Sequence, residues 1–158
     1  MSPLAVVIAD THIPRKARAL PEGLTPYLER ADLVLHAGDL MDLALLDQLA
    51  AYAPVEAVRG NMDLPGLPET LELELGGVRV AMIHDSGPGR GRRARARRRF
   101  PDARVVVFGH SHIPLLEDED GLMLLNPGSP TDRRRQPRHT FALLRVQEGE
   151  VRAEILPL

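Results

Sequence analysis

Apolar residues follow two different spacings in the N-terminal half of the chain. Three short apolar runs end in polar residues, as buried strands of a sheet do. They span residues 4–10, 32–39 and 55–61. Between them, apolar residues recur with helical spacing from Leu20 to Leu28 and again over 43–53, where Asp42 can cap the helix. The alternation of strands with helices predicts a parallel sheet.

In the C-terminal half of the chain, the pattern of apolar and polar residues predicts β-hairpins. Residues 71–75 alternate strictly between Leu and Glu, and a Gly-Gly turn at 76–77 returns the chain into a second strand. An Arg-rich helix is predicted at 91–99, a strand at 103–110, and two further hairpins at 115–126 and 140–156. We find no repeat and no linker, and therefore predict one domain over residues 1–158, in which two packed sheets are flanked by helices.

Composition narrows the environment and the possible partners. Without cysteine there is no disulfide framework, no thiolate metal site and no Cys nucleophile. No apolar run approaches the length of a membrane span, and no basic region precedes the first one, so we expect a cytoplasmic protein without membrane contact. Residues 1–80 carry 6 basic and 12 acidic residues (−6), whereas 81–158 carry 14 and 10 (+4). One half could hold cations while the other receives an anion.

Side chains that can bind metals follow five of the predicted strands. They are Asp10, His12, Asp39, Asn61, His84, His110 and His112. Ligands of open α/β sheets bind beyond the carboxyl ends of the strands, so these side chains should meet at one rim. Oxygen and imidazole ligands suit divalent Mn, Fe, Zn, Co or Ni. Seven ligands fit two ions that share a carboxylate, roughly 3.5–4 Å apart, an arrangement that drives in-line displacement at phosphorus.

The ordered motifs DTH, GD, GN, a lone His and GHSH resemble the calcineurin-like metallophosphoesterases, and LHAGD, RGN and NPGSP resemble their small phosphodiesterase branch. The resemblance runs from residue 5 to about residue 145. It implies a four-layer αββα sandwich of two mixed β-sheets flanked by helices, with two divalent ions, manganese first among them. One ion would take Asp10, His12, Asp39 and His112, and the other Asp39, Asn61, His84 and His110, with Asp39 bridging. A hydroxide between the metals would attack the phosphorus of a diester or a monoester.

Two positions depart from the family's pattern. Met62 stands where many members carry a His that protonates the leaving group, and Ser86 replaces a second His after His84. The predicted catalytic residues are Asp39, Asn61, His112 and Asp63, and the predicted substrate contacts are Ser129 and Arg90. Asp63 either orients a neighbouring group or binds only solvent. We interpret His36 as a hydrogen-bond partner rather than as a ligand.

Seven arginines lie between residues 90 and 99. We interpret them first as a solvated helix face and second as a rim that attracts phosphate. A nuclease recruited by this helix is a further alternative, not favoured because aromatic residues that could stack on bases make up only 3% of the chain. The leading prediction is a phosphodiesterase that acts on small phosphate esters and forms a homo-oligomer. The alternative is a scaffold of the same fold with a disabled site, as in the retromer subunit.

Overall fold

The computed structural model describes residues 2–15, 17–61, 63 and 65–158. The strands in this part of the chain are β1 (Leu4–Ile8), β2 (Leu33–His36), β3 (Val55–Ala57), β4 (Thr70–Leu75), β5 (Val78–Ile83), β6 (Val105–Val107), β7 (Leu115–Glu119), β8 (Leu122–Asn126), β9 (Thr140–Gln147) and β10 (Glu150–Pro157). The helices are α1 (Thr25–Arg30), preceded by a 3-10 turn at Glu22–Leu24, α2 (Ala44–Ala50) and α3 (Arg92–Arg99). They occur in the order that the hydrophobic pattern predicts.

The first sheet contains the three N-terminal strands. Strand β1 pairs in parallel with β2, and β2 pairs in parallel with β3. The C-terminal hairpin adds β9 antiparallel to β1, which gives the order β10-β9-β1-β2-β3. All five residues of β1 are buried, as expected for a central strand that is covered on both faces.

The second sheet has the order β4-β5-β6-β8-β7. Its central strands β5, β6 and β8 run parallel, while β4 and β7 are antiparallel hairpin partners at the edges. In β4 the leucines alternate with glutamates, and Leu75 is buried while Glu72 and Glu74 are exposed. The hairpins predicted at 71–84 and 115–126 are therefore present, and both sheets are mixed.

The core forms three apolar layers. The layer between the sheets contains Val7 and Leu35 from one sheet and Val80 and Val107 from the other. Helices α1 and α2 cover the outer face of the first sheet, and α3 covers the outer face of the second. Each fully buried Leu or Val contributes about 1.5–3 kcal/mol relative to an exposed one. This arrangement confirms the predicted four-layer αββα sandwich.

Several elements end earlier than the sequence predicts. Strand β2 stops at His36, three residues before Asp39, because Gly38 adopts φ +101° and turns the chain out of the sheet. Helix α2 spans Ala44–Ala50 rather than 43–53, and the Asp42 carboxylate accepts a hydrogen bond from the Ala44 N–H at 2.9 Å. Among the described residues, no helix is long and apolar enough to cross a membrane.

Candidate metal centre

Two groups of buried carboxylates and imidazoles meet beyond the ends of β1, β2, β5 and β6. One consists of Asp10, His12 and His112, and the other of Asp10, Asp39 and His84. Within each group, the potential ligand atoms lie within 4.8 Å of one another. Because Asp10 belongs to both groups, the two possible ion sites are adjacent.

Both carboxylates lie between the imidazoles. Asp10 Oδ1 is 3.9 Å from His12 Nε2, 3.8 Å from His84 Nε2 and 3.6 Å from His112 Nε2. Asp39 Oδ2 is 3.6 Å from His12 Nε2 and 3.3 Å from His84 Nε2. The resemblance implies a bridge at Asp39 alone, whereas Asp10 is placed at least as centrally. The bridging role of Asp39 stays a prediction.

Three buried side-chain atoms at this point lack a hydrogen-bond partner among the residues that the structure describes. They are Asp10 Oδ1, His12 Nε2 and His112 Nε2. A buried polar atom without a partner costs about 1–3 kcal/mol, so native structures normally satisfy such atoms. These three atoms face one another, and all three have lone pairs available when the imidazole Nε2 atoms are unprotonated. This donor set fits a divalent cation.

The imidazole rings are oriented by backbone carbonyl groups. His84 Nδ1 lies 2.7 Å from the carbonyl oxygen of Ala37, and His112 Nδ1 hydrogen-bonds the carbonyl of Asp132. Donation from Nδ1 directs Nε2 at the carboxylates, where it can bind a cation once it carries no proton. Histidine ligands of metals are commonly held by this kind of second hydrogen bond.

Left-handed turns direct the ligands out of the strands. The backbone φ lies between 46° and 72° at five of the predicted ligands, namely Asp10, His12, Asp39, His110 and His112. Positive φ is uncommon outside glycine, although Asp and His tolerate it better than most residues. Unusual backbone conformations of this kind cluster at functional sites, where the surrounding structure holds them in place.

Two glycines allow the ligand-bearing turns to approach one another. A Cβ atom on Gly60 would lie 2.1 Å from Asp39 Oδ1, and one on Gly109 would lie 2.9 Å from Asp10 Oδ2. Neither distance is compatible with a real side chain. The Gly before Asn61 and the Gly before His110 are therefore required by close packing around the carboxylates.

Asp63 organises two of these turns. Its Oδ2 accepts hydrogen bonds from the N–H groups of Asp39 and Gly60, both at 2.8 Å, and its Oδ1 accepts one from Met41 at 2.7 Å. The side chain is buried. Of the two interpretations that the sequence left open, the structure supports orientation of neighbouring groups rather than contact with solvent alone.

Asn61 and His110 lie at the edge of the centre. Asn61 Oδ1 is 3.0 Å from His84 Nε2, whereas His110 belongs to neither ligand group and is half-exposed, with its Nε2 3.9 Å from Asp85 Oδ2. Both border a cavity of about 410 Å³, which we call the metal-side cavity. Its lining residues are Arg59, Gly60, Asn61, Glu69, Ile83, His84, Asp85 and His110.

The charges around the centre shift two imidazoles in opposite directions. Burial opposes protonation of His84, but its hydrogen bond to Asp39 and the charges of Asp10 and Asp39 outweigh burial and raise its pKa. Burial lowers the pKa of His112 despite the nearby charge of Asp10. A proton therefore competes with a cation mainly at His84, which also faces the amide oxygen of Asn61.

A sequence model described as the calcineurin-like phosphoesterase superfamily domain matches residues 4–149. The chain belongs to the calcineurin-like phosphoesterase superfamily. A probable metallophosphoesterase of Methanocaldococcus jannaschii is 37% identical over 155 residues, which cover 96% of this chain and 80% of that protein. A second probable metallophosphoesterase, from Methanothermobacter thermautotrophicus, is 38% identical over 158 residues, covering 95% and 90%. The superfamily predicted from the ordered motifs is confirmed.

Among solved structures, this member of the superfamily is similar to Vps29 of Entamoeba histolytica complexed with Zn²⁺. The two are 27% identical and superpose with a TM-score of 0.79 over 98% of each chain. Vacuolar protein sorting 29 from Cryptosporidium parvum gives a TM-score of 0.82 at 20% identity, over 99% of this chain and 98% of the other. The second likeness supports the fold alone.

Ser129 is buried behind the turn that carries Asp10 rather than open to the candidate metal centre. Its side chain is buried, and its hydroxyl donates to the carbonyl of Asp10 at 2.8 Å and accepts from the N–H of Asp132 at 2.8 Å. In the sequence, Ser129 is a predicted substrate contact. Because the hydroxyl is engaged by the backbone, we assign it the positioning of Asp10 instead.

Arg90 and Met62 are the other two residues singled out in the sequence. Arg90 is exposed and does not line the metal-side cavity, so the structure does not bring this predicted substrate contact to the site. Met62 lies outside the described residues, and its predicted effect on proton donation stays a prediction. Arg59 lines the metal-side cavity and was missed, although it is part of the RGN motif.

Four arginines of the Arg-rich segment are bonded to backbone carbonyls or to a hydroxyl. Arg93 donates to three carbonyls of the β7–β8 hairpin, and Arg97 donates to a different carbonyl of the same hairpin, that of Asp120, and to the carbonyl of Ala103. Arg95 donates to carbonyls of the loop before α3. Arg92 donates to Ser86 Oγ at 2.9 Å and lies over the ring of Phe108. The predicted solvated face is therefore only partly solvated.

Proposed function

We propose that this protein is a dinuclear metal-dependent phosphodiesterase that hydrolyses small-molecule phosphate esters. The observation that carries the proposal is the set of buried atoms on Asp10, His12 and His112 that find no hydrogen-bond partner among the described residues, next to a second ligand group that shares Asp10. Two adjacent groups of oxygen and imidazole ligands suit a pair of divalent ions. Membership of a phosphoesterase superfamily supports the choice of reaction.

Divalent cations in the two groups would supply Lewis-acid chemistry, lowering the pKa of water and offsetting negative charge on the phosphoryl oxygens. Asp10 and Asp39 would hold them, with His12 and His112 on one side and His84 on the other. Asn61 adds a neutral oxygen, so it does not repel an anionic substrate as another carboxylate would. The exposed Arg59 lines the same cavity, and its planar guanidinium matches a phosphate in charge and geometry.

The proposal is tested by metal analysis and by hydrolysis of bis(p-nitrophenyl) phosphate with each candidate metal. In Asp39→Asn, we expect metal content below two ions per chain and a loss of about 10²-fold or more in kcat, because a central carboxylate is lost. Asp102→Asn is the matched control, since Asp102 is an exposed carboxylate away from the centre. Full activity in Asp39→Asn would contradict the dinuclear mechanism.

A protein-interaction scaffold is the second candidate function. The likeness to Vps29 of Entamoeba histolytica, 27% identical over 98% of each chain, favours it. An intact ligand set alone does not separate the two functions, because that Vps29 is itself complexed with Zn²⁺. A folded protein that binds no metal and cleaves no phosphate ester would decide for the scaffold, whereas two bound ions and turnover would decide for the enzyme.

The alternative of a nuclease recruited by the Arg-rich helix depends on arginines that are free to bind a nucleic acid. Four of the seven arginines between residues 90 and 99 are bonded within the protein, so they do not form a continuous free surface for a nucleic acid. A single domain over residues 1–158, manganese as the metal, a cytoplasmic location and homo-oligomer formation remain predictions.

A further inference from the structure

A second cavity of about 500 Å³ adjoins the metal-side cavity, and we call it the helix-side cavity because it lies along α3. Its lining residues are Glu69, Ile83, Asp85, Ser86, Gly87, Arg95, Ala96, Arg98, Arg99, Phe100 and Val106. The two cavities share Glu69, Ile83 and Asp85, so they form one continuous cleft. The volume lies within the range of small-molecule sites.

The wall of the helix-side cavity is apolar. It consists of Ile83 from β5, Val106 from β6, and Ala96 and Phe100 from α3 and its end. These side chains are otherwise packed in the layer beneath the helix, which fixes the shape of the wall. An apolar wall beside a polar site binds the hydrocarbon or aromatic part of a ligand.

Two arginines at the mouth of this cavity differ from their neighbours on the helix. Arg98 and Arg99 are exposed, and among the described residues neither takes part in a hydrogen bond or an ion pair. Arg92, Arg93, Arg95 and Arg97 are all bonded within the protein. The guanidinium groups of Arg98 and Arg99 are therefore available to a ligand.

The charges along the cleft are unevenly placed. Three arginines and two acids line the helix-side cavity. One acid, Asp85, accepts a hydrogen bond from the Gly87 N–H at 2.9 Å and has its other oxygen 3.9 Å from His110 Nε2, toward the metal-side end. The other acid, Glu69, also lines the metal-side cavity, whereas Arg98 and Arg99 do not, so positive charge predominates at the end where these two arginines lie. An anion is favoured there.

We propose that the helix-side cavity binds the organic substituent of the substrate, an apolar or aromatic group that carries a second negative charge held by Arg98 and Arg99. Its place in catalysis rests on the proposed function, because the phosphodiester group would then lie in the metal-side cavity with one substituent directed along the cleft. The binding preference itself does not depend on that function.

The binding preference is tested with naphthalenesulfonate and its neutral isostere naphthalenesulfonamide on the full chain in zinc-containing buffer. Calorimetry gives the affinities, and methyl resonances of Ile83 and Ala96 report where the probe binds. We expect tighter binding of the sulfonate, and a loss of about tenfold in its affinity in Arg98→Gln/Arg99→Gln, the size of one charge-assisted hydrogen bond. The control is Arg145→Gln/Arg152→Gln, in which two exposed arginines of β9 and β10 are neutralised.

A second arm measures turnover of two p-nitrophenyl diesters, one with a methyl and one with a carboxyphenyl substituent. In Arg98→Gln/Arg99→Gln, kcat/KM should fall about tenfold for the carboxyphenyl ester and stay unchanged for the methyl ester. Equal affinities for the two naphthalene probes, or shifts away from Ile83 and Ala96, would overturn the inference even if both diesters are cleaved. Selective binding without cleavage of any diester would uphold the cavity and overturn the proposed function.

Discussion

At the scale of single residues, Asp63 supports the metal centre through the backbone. Its carboxylate accepts three N–H groups, from Asp39, Met41 and Gly60, and so fixes the turns that carry Asp39 and Asn61. An amide in its place has only one oxygen, and its NH2 group would face an N–H donor. A buried donor left unsatisfied in this way costs about 1–3 kcal/mol.

We therefore expect Asp63→Asn to weaken metal binding by about 10–100-fold and to lower the urea midpoint of the protein. Calorimetric metal titration and urea denaturation measure the two effects. Asp102→Asn, which removes an exposed carboxylate, should change neither. If Asp63→Asn binds metal as well as the unmodified protein does, the turns are held by other contacts.

The lowered pKa of the buried His36 imidazole makes the stability of the protein depend on pH. Its Nδ1 accepts the N–H of Gly38 at 3.1 Å, so its Nε2 carries the proton and lies 3.0 Å from Thr11 Oγ1. Burial lowers its pKa from 6.5 to about 4. Between these values the unfolded chain binds more protons than the folded one, so stability falls as the pH falls, by about 3 kcal/mol at most for this group.

In His36→Asn this group no longer titrates, while an oxygen remains where it can accept the Gly38 N–H. We expect the variant to be less stable near neutral pH but to lose less stability than the unmodified protein between about pH 6.5 and about pH 4. Urea denaturation of both proteins across that window, with a chelator present, provides the measurement. Parallel stability curves would mean that His36 is protonated in the folded state.

Some of these residue roles could be predicted from the sequence and others could not. Asp10, His12 and Asp39 follow strands in motifs whose spacing is local, so the sequence itself places them at one rim. Ser129 contacts Asp10 from 119 positions away, and such a contact has no local signal. The position of Arg59 in the cavity likewise depends on where β5 and its neighbours lie in three dimensions.

At the scale of elements, helix α3 is attached to the sheet partly by its arginines. The sequence predicts an Arg-rich helix at 91–99, but only Ala96 within it is buried. Arg93 and Arg97 donate hydrogen bonds to backbone carbonyls of the β7–β8 hairpin. The composition of this helix could not reveal these bonds, because their acceptors are backbone atoms of a different element.

Arg93→Gln should destabilise the protein by about 1–3 kcal/mol, because three carbonyl acceptors lose a charged donor. Arg99→Gln is the matched control on the same helix, since the exposed Arg99 makes none of the hydrogen bonds found among the described residues. We expect its stability to stay within about 0.5 kcal/mol of the unmodified protein. Chemical denaturation compares the two variants, and equal losses would show that Arg93 acts only through its charge.

The turns between strand and ligand are a second feature at this scale. Gly60 has no space for a side chain, since its Cβ would lie 2.1 Å from Asp39 Oδ1. We expect Gly60→Ala to displace Asp39 and to reduce metal content measured on purified protein. Gly89→Ala, whose Cβ would meet only Arg92 at 3.9 Å, serves as the control and should retain the metal. Unchanged metal content in Gly60→Ala would mean that the turn adapts without moving Asp39.

At the scale of the whole molecule, the two sheets hold the centre between them. Asp10 and Asp39 follow strands of the first sheet, while His84, His110 and His112 follow strands of the second. The layer order could be predicted because the apolar periodicity of each strand is evident in the sequence. The resemblance of the motifs implied which ligands meet. A cation at this junction would bind residues of both sheets, so it should stabilise the whole fold.

The stabilisation of the fold by a bound cation should increase with pH. The raised pKa of His84 stabilises the metal-free protein at low pH, and that contribution is lost as the pH rises through the raised value. Metal binding requires the neutral imidazole, so its affinity increases by up to about tenfold per pH unit until His84 is deprotonated. These are two expressions of one linkage between proton and cation at His84, and because of it the difference in Tm between metal-loaded and metal-free protein should grow with pH. We expect this increase between about pH 6 and about pH 9, measured by calorimetry with saturating zinc or with chelator. A difference that stays constant or shrinks over this range would show that His84 does not hold the cation.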